Sequence, residues 1–246
     1  MAMLETFVSD ARSVLTDELL AIYLYGTGAT GGWNKSLSDL DLMAVTSSEV
    51  AALGLAPFEV VHQRFFERFP AWRNRVDVVY VGRATLTSFR EGGMLVELVR
   101  DMPLRLREDA AGWIRTWYLV RRSGLTLYGP PPASFIPPIA EEEFKAALTA
   151  YVGDIRRRFP GVADPSLRAY MVLTTARALC ALRGGECPTK ERAAEWVRQS
   201  LPAWSALMDA AMACRLSGGK TGFDDEPTLR TAFEFISLVA DQVGAP

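Results

Sequence analysis

The segment from Tyr23 to Val45, YLYGTGATGGWNKSLSDLDLMAV, restricts the possible folds more than any other part of the chain. Its glycines Gly26, Gly28 and Gly31 match the G-x-G-x-x-G pattern of a dinucleotide-binding turn. That turn must be followed by a crossover helix before the next parallel strand begins. Only seven residues, GWNKSLS, separate Gly31 from Asp39, where the next strand is expected. The segment therefore predicts a strand, a glycine turn and a second strand, and it argues against a dinucleotide-binding fold.

Three aspartates on two predicted strands form a candidate metal site. Asp39 and Asp41 are two positions apart, and side chains at i and i+2 of a strand point to the same side. Asp77, in the strand RVDVVYVG at 75–82, is the candidate for a third carboxylate. Mg²⁺ prefers such oxygen ligands, and clusters of this kind serve phosphoryl and nucleotidyl transfer. The competing interpretation is that these aspartates are solvated or structural carboxylates.

The turn after the first strand is a candidate phosphate site. Gly26 and Thr27 would begin a helical turn, where backbone N–H groups and the threonine hydroxyl can all donate to phosphate oxygens.

The overall composition excludes several other classes of protein. The 27 basic and 29 acidic residues argue against a polybasic nucleic-acid binder. His62 is the only histidine, which excludes zinc sites with two or more histidines, and it is expected on the surface of a helix. Cys180, Cys187 and Cys214 are an odd number without a C-x-x-C motif, typical of free thiols in a reducing cytoplasm. Neither a membrane span nor a signal peptide is expected, so the predicted location is cytoplasmic.

A proline-rich stretch, YGPPPASFIPPIA at 128–140, divides the chain into two parts. Hydrophobic periodicity before it predicts helices at 3–20, 57–69 and 113–123 and strands at 20–26, 39–45 and 75–82. After it, helical periodicity covers 141–159, 165–185, 189–218 and 226–243. The expected fold class is α+β, with an N-terminal domain at 1–137 that has a mixed sheet flanked by helices, and an all-α helical bundle at 138–246.

The combined motifs resemble a known superfamily of enzymes. Polymerase-β-like nucleotidyltransferases carry a glycine–serine pair, a short spacer, Asp-x-Asp and a later third acid. Here Gly26–Thr27 precedes eleven residues and then Asp39-Leu40-Asp41, with threonine in place of serine. The second part of the chain is similar to that of streptomycin/spectinomycin adenylyltransferases. The matching positions are Val172-Leu173-Thr174, Arg177, Lys190, Trp196 and Leu201-Pro202.

This resemblance implies a nucleotidyltransferase that transfers AMP from ATP to a hydroxyl of a small molecule and releases pyrophosphate. The enzyme would use two Mg²⁺ ions. An aminoglycoside or aminocyclitol antibiotic is the first candidate acceptor, which would make the protein an antibiotic-resistance enzyme. Asp39, Asp41 and Asp77 would bind the metal, and Asp77 would also act as general base. Thr27 and Ser38 would contact the phosphates of ATP.

The resemblance also implies roles for residues of the helical domain. Arg177 and Lys190 would reach the triphosphate across a cleft between the two domains. The alternatives are an internal ion pair for Arg177 and an ordinary first-turn lysine for Lys190. Trp113 is a candidate for contact with the acceptor, although Trp113 and Trp117, at i and i+4 of one helix, could equally belong to the core.

The acceptor is where the sequence departs from the resembled family. Streptomycin enzymes have an acidic and aromatic patch before the Val-Leu-Thr helix, whereas this chain has Arg156–Arg158 and Arg168 there. A polycationic antibiotic should prefer a negative pocket. Two alternatives therefore stay open, a nucleotidyltransferase acting on a protein or tRNA and a nucleotide-binding module without activity. A stable nucleic-acid partner and a membrane partner are not expected.

Overall fold

The computed structural model describes residues 2–31, 39–99, 102–184 and 189–245. The chain divides into two compact units, Met1–Ile139 and Ala140–Pro246. The first unit contains a six-stranded sheet and helices, and the second is built from helices. The predicted α+β class is confirmed.

The first unit alternates helices and strands along the chain. Its helices are α1 (Ala2–Leu15), α2 (Val50–Leu53), α3 (Ala56–Arg68), α4 (Arg83–Thr87) and α5 (Ile114–Ser123). Its strands are β1 (Leu19–Tyr25), β2 (Leu40–Thr46), β3 (Val76–Gly82), β4 (Met94–Leu98), β5 (Arg105–Glu108) and β6 (Leu125–Tyr128).

The sheet has the strand order β5-β4-β3-β2-β1-β6. β2 and β3 are parallel, and every other neighbouring pair is antiparallel, so the sheet is mixed. The parallel pair is joined through α2 and α3, as a parallel connection requires a crossover. β1, β2 and β3 are adjacent, which brings the glycine turn and both aspartate-bearing strands to the middle of the sheet.

The middle strands are buried on both faces, which explains their nearly continuous apolar sequences. Successive residues such as Leu42 and Met43, or Val78 and Val79, contribute to opposite apolar clusters. One cluster contains residues of α1 and α3, and the other contains Trp117 of α5. Because both faces are covered by apolar side chains, polar residues of these strands collect at the strand ends.

His62 is buried, so the prediction that it lies on the surface is wrong. It is 4% exposed, and its Nε2 atom lies 3.0 Å from the hydroxyl oxygen of Tyr80. Phe58 and Phe65, one turn to either side on α3, are also buried. His62 therefore belongs to the apolar stripe of α3, and burial lowers the pKa of its imidazole to about 3.

The second unit consists of α6 (Glu141–Arg158), α7 (Pro165–Gly184), α8 (Lys190–Ser200), α9 (Ser205–Leu216) and α10 (Glu226–Gln242). α7 packs against each of the other four helices and is buried along more than half of its length. α6 begins with three glutamates and ends with three arginines, an arrangement that complements the helix dipole.

The segment 189–218, predicted as one helical stretch, contains two helices. α8 ends at Ser200, and Leu201, with φ −137° and ψ 64°, lies outside the helical region before Pro202. A residue before proline is disfavoured in the helical region, and proline itself lacks the N–H that would continue the helix. A short 3₁₀ turn, Pro202–Trp204, then leads into α9.

Candidate active site

The glycine turn lies directly after β1. A 3₁₀ turn, Gly26–Gly28, follows Tyr25, and the N–H of Ala29 donates to the carbonyl oxygen of Gly26. Gly26 has φ +66°, a conformation that favours glycine. A Cβ atom at Gly26 would overlap the carboxylate of Asp41 and lie 3.1 Å from its Cγ. The turn therefore lies directly beside Asp41, one of the predicted metal ligands. Thr27 is half-buried in the same turn.

Two of the three predicted carboxylates are immediate neighbours across the parallel strands. Asp41 of β2 pairs in register with Asp77 of β3, and Tyr25 of β1 pairs with Asp41 on the other side. Asp39 precedes β2 and is half-buried, like Asp41 and Asp77. Because i and i+2 positions share a face, all three carboxylates belong to the same side of the sheet. The structure thus brings Gly26, Asp41 and Asp77 together, with Asp39 two positions before Asp41.

The carboxylates do not form a complete metal cage by themselves. Over the described ranges, no group of three or more His, Cys, Asp or Glu residues is placed to hold a metal ion. Mg²⁺ is usually bound by one or two carboxylates together with substrate phosphates and water.

Glu97 of β4 is a buried acid on the same face that the sequence did not single out. It pairs across the sheet with Val79, which is two positions from Asp77. Its carboxylate is bound by Arg105 and Arg107 of β5. The two arginines thus offset the negative charge of the Glu97 carboxylate, and these ion pairs link β4 to β5. Sequence alone gives no sign of this, because the pairing depends on the register of β4 and β5.

Ser38 and Trp113 are the remaining residues of the first unit that were predicted to contact ATP or the acceptor. Ser38 lies outside the described residues. Trp113 is half-buried in a 3₁₀ turn before α5, packs against the cluster that contains Trp117, and has its ring centroid 5.7 Å from that of Trp117. Its position is that of a side chain at the edge of the core.

Arg177 and Lys190 lie on consecutive helices of the second unit. Arg177 is half-buried on α7. Lys190 is the first residue of α8, and the hydroxyl of Thr189 caps this helix by accepting from the N–H of Arg192 at 3.3 Å. The Nζ atom of Lys190 lies 4.3 Å from the ring centroid of Tyr170 on α7. Tyr170 was not predicted, although its i, i+7 spacing from Arg177 was visible in the sequence.

The arginines of α6 and the start of α7 all have partners within the second unit. Arg156 pairs with Asp241 at 2.9 Å, and Arg157 and Arg158 both pair with Asp154. Arg168 donates to the carbonyl oxygens of Val162 and Phe223. Arg156 and Arg168 thus join separate elements of the second unit, whereas Arg157 and Arg158 form exposed ion pairs within α6.

No helix in the described parts of the chain combines the length and apolar character that crossing a membrane requires.

The comparisons with known proteins concern the C-terminal part of the sequence and the fold of the whole chain. Residues 134–238 match the model of the C-terminal domain of aminoglycoside adenylyltransferases. No curated protein matches the sequence significantly. The structure is similar to the crystal structure of spectinomycin adenyltransferase AAD(9) from Enterococcus faecialis with ATP and spectinomycin, with a TM-score of 0.74 and 15% sequence identity. This match covers 99% of this chain and 98% of the other, and at that identity it establishes a common fold. Residues 134–238 therefore resemble the C-terminal domain of the aminoglycoside adenylyltransferase family, and the chain as a whole shares its fold with a spectinomycin adenyltransferase.

Proposed function

We propose that this chain is an Mg-ATP-dependent adenylyltransferase that transfers AMP to a hydroxyl of an aminoglycoside or aminocyclitol antibiotic and releases pyrophosphate. The main support is the placement of Asp41 beside both the Gly26 turn and Asp77, which puts a phosphate-binding backbone next to two carboxylates. The fold shared with a spectinomycin adenyltransferase supports the same reaction class.

The residues present fit Mg²⁺ as the metal. The donor set is carboxylate oxygen only, which this hard ion prefers, and Gly26 leaves room for the Asp41 carboxylate beside the turn. Asp39, Asp41 and Asp77 would hold the metal together with phosphate oxygens of the nucleotide and water, since the three carboxylates do not form a complete site by themselves. When bound, Mg²⁺ would offset the phosphate charge and lower the pKa of the acceptor hydroxyl.

The side chains have separate roles in the proposed transfer. Backbone N–H groups of the Gly26 turn and the hydroxyls of Thr27 and Ser38 bind phosphate oxygens. Asp77 accepts the proton of the acceptor hydroxyl. The acceptor oxygen then bonds to the α-phosphorus, the bond from that phosphorus to the bridging oxygen breaks, and pyrophosphate leaves.

Two cations of the helical unit act on the leaving group. Arg177 and Lys190 would contact the triphosphate and neutralise the charge that develops on pyrophosphate. Positive charge at this place is a common means of stabilising phosphoryl-transfer transition states.

The contacts of the arginines weaken an objection to a cationic acceptor. Arg156, Arg157 and Arg158 are paired with aspartates, and Arg168 is bound to backbone carbonyls. Two carboxylates, Asp154 and Asp241, lie within this set of four arginines, so the positive charge presented to a ligand is lower than the number of arginines in the sequence implied.

The test is pyrophosphate release by the purified chain with Mg-ATP and a panel of aminoglycosides and aminocyclitols. We expect release with at least one drug, together with a mass gain of one AMP on that drug. Asp39→Asn and Asp77→Asn should abolish transfer without changing the melting temperature greatly, whereas Asp17→Asn, at an exposed position of the first unit, should leave transfer unchanged. Wild-type turnover in either of the first two variants would disprove the metal and base assignment.

Failure with every drug would still distinguish the alternatives. Mg²⁺-dependent ATP binding without turnover would redirect the search to protein or tRNA acceptors. ATP binding with no transfer to any acceptor would favour an inactive nucleotide-binding module.

A further inference from the structure

One face of α7 carries a row of side chains suited to binding a ligand. Tyr170, Thr174 and Arg177 are spaced by four and three residues, so they lie on the same side of the helix. The ammonium of Lys190 lies over the ring of Tyr170, at the start of this row. Along α7, Thr174 therefore lies one turn from Arg177 and one turn from Tyr170, the residue whose ring Lys190 contacts.

The hydroxyl of Thr174 is buried without a hydrogen-bond partner among the described residues. Thr174 is only 9% exposed, and its Oγ1 atom is shielded from solvent. The adjacent Thr175 is fully buried, but its hydroxyl donates to the carbonyl oxygen of Met171 at 2.9 Å. This bond to the residue four positions earlier is the usual solution for threonine in a helix.

Other threonines in helices of this chain form the same hydrogen bond. Thr6, Thr87 and Thr231 each donate to the carbonyl oxygen four residues earlier. Thr174 could do so with Tyr170 but does not. A buried polar group without a partner is costly, and such groups in native proteins are commonly explained by a ligand, an ion or a catalytic role.

The surrounding charges indicate the chemistry of that ligand. Arg177 is one turn from Thr174 on α7, and Lys190 contacts the ring of Tyr170, one turn away on the other side. Glu191, the acid next to Lys190, pairs with Arg215 of α9 at 3.5 Å. A hydroxyl donor between two cations is suited to an oxyanion, and phosphate oxygens accept hydrogen bonds from both kinds of group.

We propose that Thr174 is a nucleotide-binding residue, whose hydroxyl donates a hydrogen bond to a phosphate oxygen of ATP between Arg177 and Lys190. This inference rests on the proposed function, because it takes ATP as the co-substrate. It gives a role to the threonine of the Val172-Leu173-Thr174 motif.

The test uses two threonines that are adjacent in the sequence but differ in their contacts. ATP affinity with Mg²⁺ is measured by calorimetry, and the melting temperature is measured without nucleotide. Thr174→Val keeps the shape and removes the hydroxyl, so we expect about tenfold weaker ATP binding with an equal or higher melting temperature. Thr174→Ser should restore most of the affinity. Thr175→Val removes a hydroxyl that is already bonded, so it should leave ATP affinity unchanged.

Displacement of ATP by inorganic triphosphate tests the phosphate assignment. We expect triphosphate to displace ATP from the wild type and to bind about tenfold more weakly to Thr174→Val. Failure to displace ATP from the wild type, or equal triphosphate binding by the two proteins, would overturn the phosphate contact.

Three results would separate this inference from the proposed function. A wild-type chain that binds no ATP would overturn both. ATP binding that is equal in the wild type and in Thr174→Val would overturn only the role of Thr174. A lower melting temperature of Thr174→Val with unchanged affinity would show that the hydroxyl serves the packing of α7 instead.

Discussion

The backbone of Gly26 passes so close to Asp41 that a methyl group at this position would overlap the carboxylate. Gly26 also has a positive φ, which costs an alanine about 1 kcal/mol or more. We therefore expect Gly26→Ala to displace Asp41 and reduce AMP transfer by about a hundredfold or more, since small displacements of catalytic groups have effects of that size. Turnover and melting temperature of the purified variant would be measured together.

Gly31 supplies the matched control for this prediction. It has φ +76°, but no described atom lies within 4 Å of the position that a Cβ would take. Gly31→Ala should therefore show the backbone strain alone, with a lower melting temperature and much higher activity than Gly26→Ala. Equal losses of activity in the two variants would mean that strain in the loop, rather than contact with Asp41, explains the effect.

The sequence predicts the positions of some site residues and not the contacts of others. Asp39, Asp41 and Asp77 could be placed on one side of a sheet because strand periodicity alone fixes the side of each residue. The register that pairs Asp41 with Asp77 could not be derived, since it depends on how β2 and β3 align. Thr174 and Thr175 are the same residue type in sequence, and only the structure shows that one hydroxyl is bonded and the other is not.

Among the helices, the start of α8 links stability to the proposed nucleotide contact. Thr189 caps this helix, and Lys190 is its first residue. Thr189→Ala removes the cap, which costs about 1 kcal/mol, and it frees the turn that positions Lys190. We expect a lower melting temperature and weaker ATP binding, measured by thermal unfolding and calorimetry, whereas Thr189→Ser should retain both properties.

The cap of α10 provides a comparison within the same unit. Asp225 accepts a hydrogen bond from the N–H of Thr228 at 2.9 Å, and this contact and a second one from the Thr228 side chain hold the pKa of Asp225 below its ordinary value. Asp225→Ala should also lower the melting temperature, but ATP affinity should stay unchanged because Lys190 is not on this helix. If both cap variants weaken ATP binding equally, the effect belongs to general loosening of the unit.

Elements with long apolar patterns could be predicted, and short edge elements could not. β1, β2 and β3 are buried on both faces, and their predicted limits differ from the observed ones by only a residue. β5, with the sequence RLRE, and β6, with LTLY, are four-residue strands at the two edges of the sheet. Their strand conformation depends on pairing with β4 and β1, so local sequence carries little sign of it.

At the scale of the whole molecule, helices cover both faces of the sheet, and this burial includes one pair of polar side chains. Nearly all side chains between α3 and the sheet are apolar, yet His62 and Tyr80 are buried there as a hydrogen-bonded pair. A buried imidazole without a counter-ion must stay neutral. The fold is therefore expected to lose stability in acid through a residue that is remote in sequence from the candidate site.

The pH dependence of unfolding would test this expectation. Burial lowers the pKa of His62 to about 3, while in the unfolded chain it returns to about 6.5. Between these values the unfolded chain binds more protons, so the free energy of unfolding should fall as the pH falls from 6.5, by up to about 1.4 kcal/mol per pH unit. Above pH 7 this residue should contribute no pH dependence.

The control replaces both members of the pair, His62→Leu with Tyr80→Phe, so that no buried polar group is left unpaired. Urea denaturation at pH 7, 6, 5 and 4 would be compared for the two proteins. The carboxylates titrate in both, so the difference between their unfolding free energies isolates the imidazole. We expect the double variant to lose less stability on acidification. Parallel curves over this range would mean that His62 is protonated as readily in the folded chain as in water, and that its site admits solvent or charge.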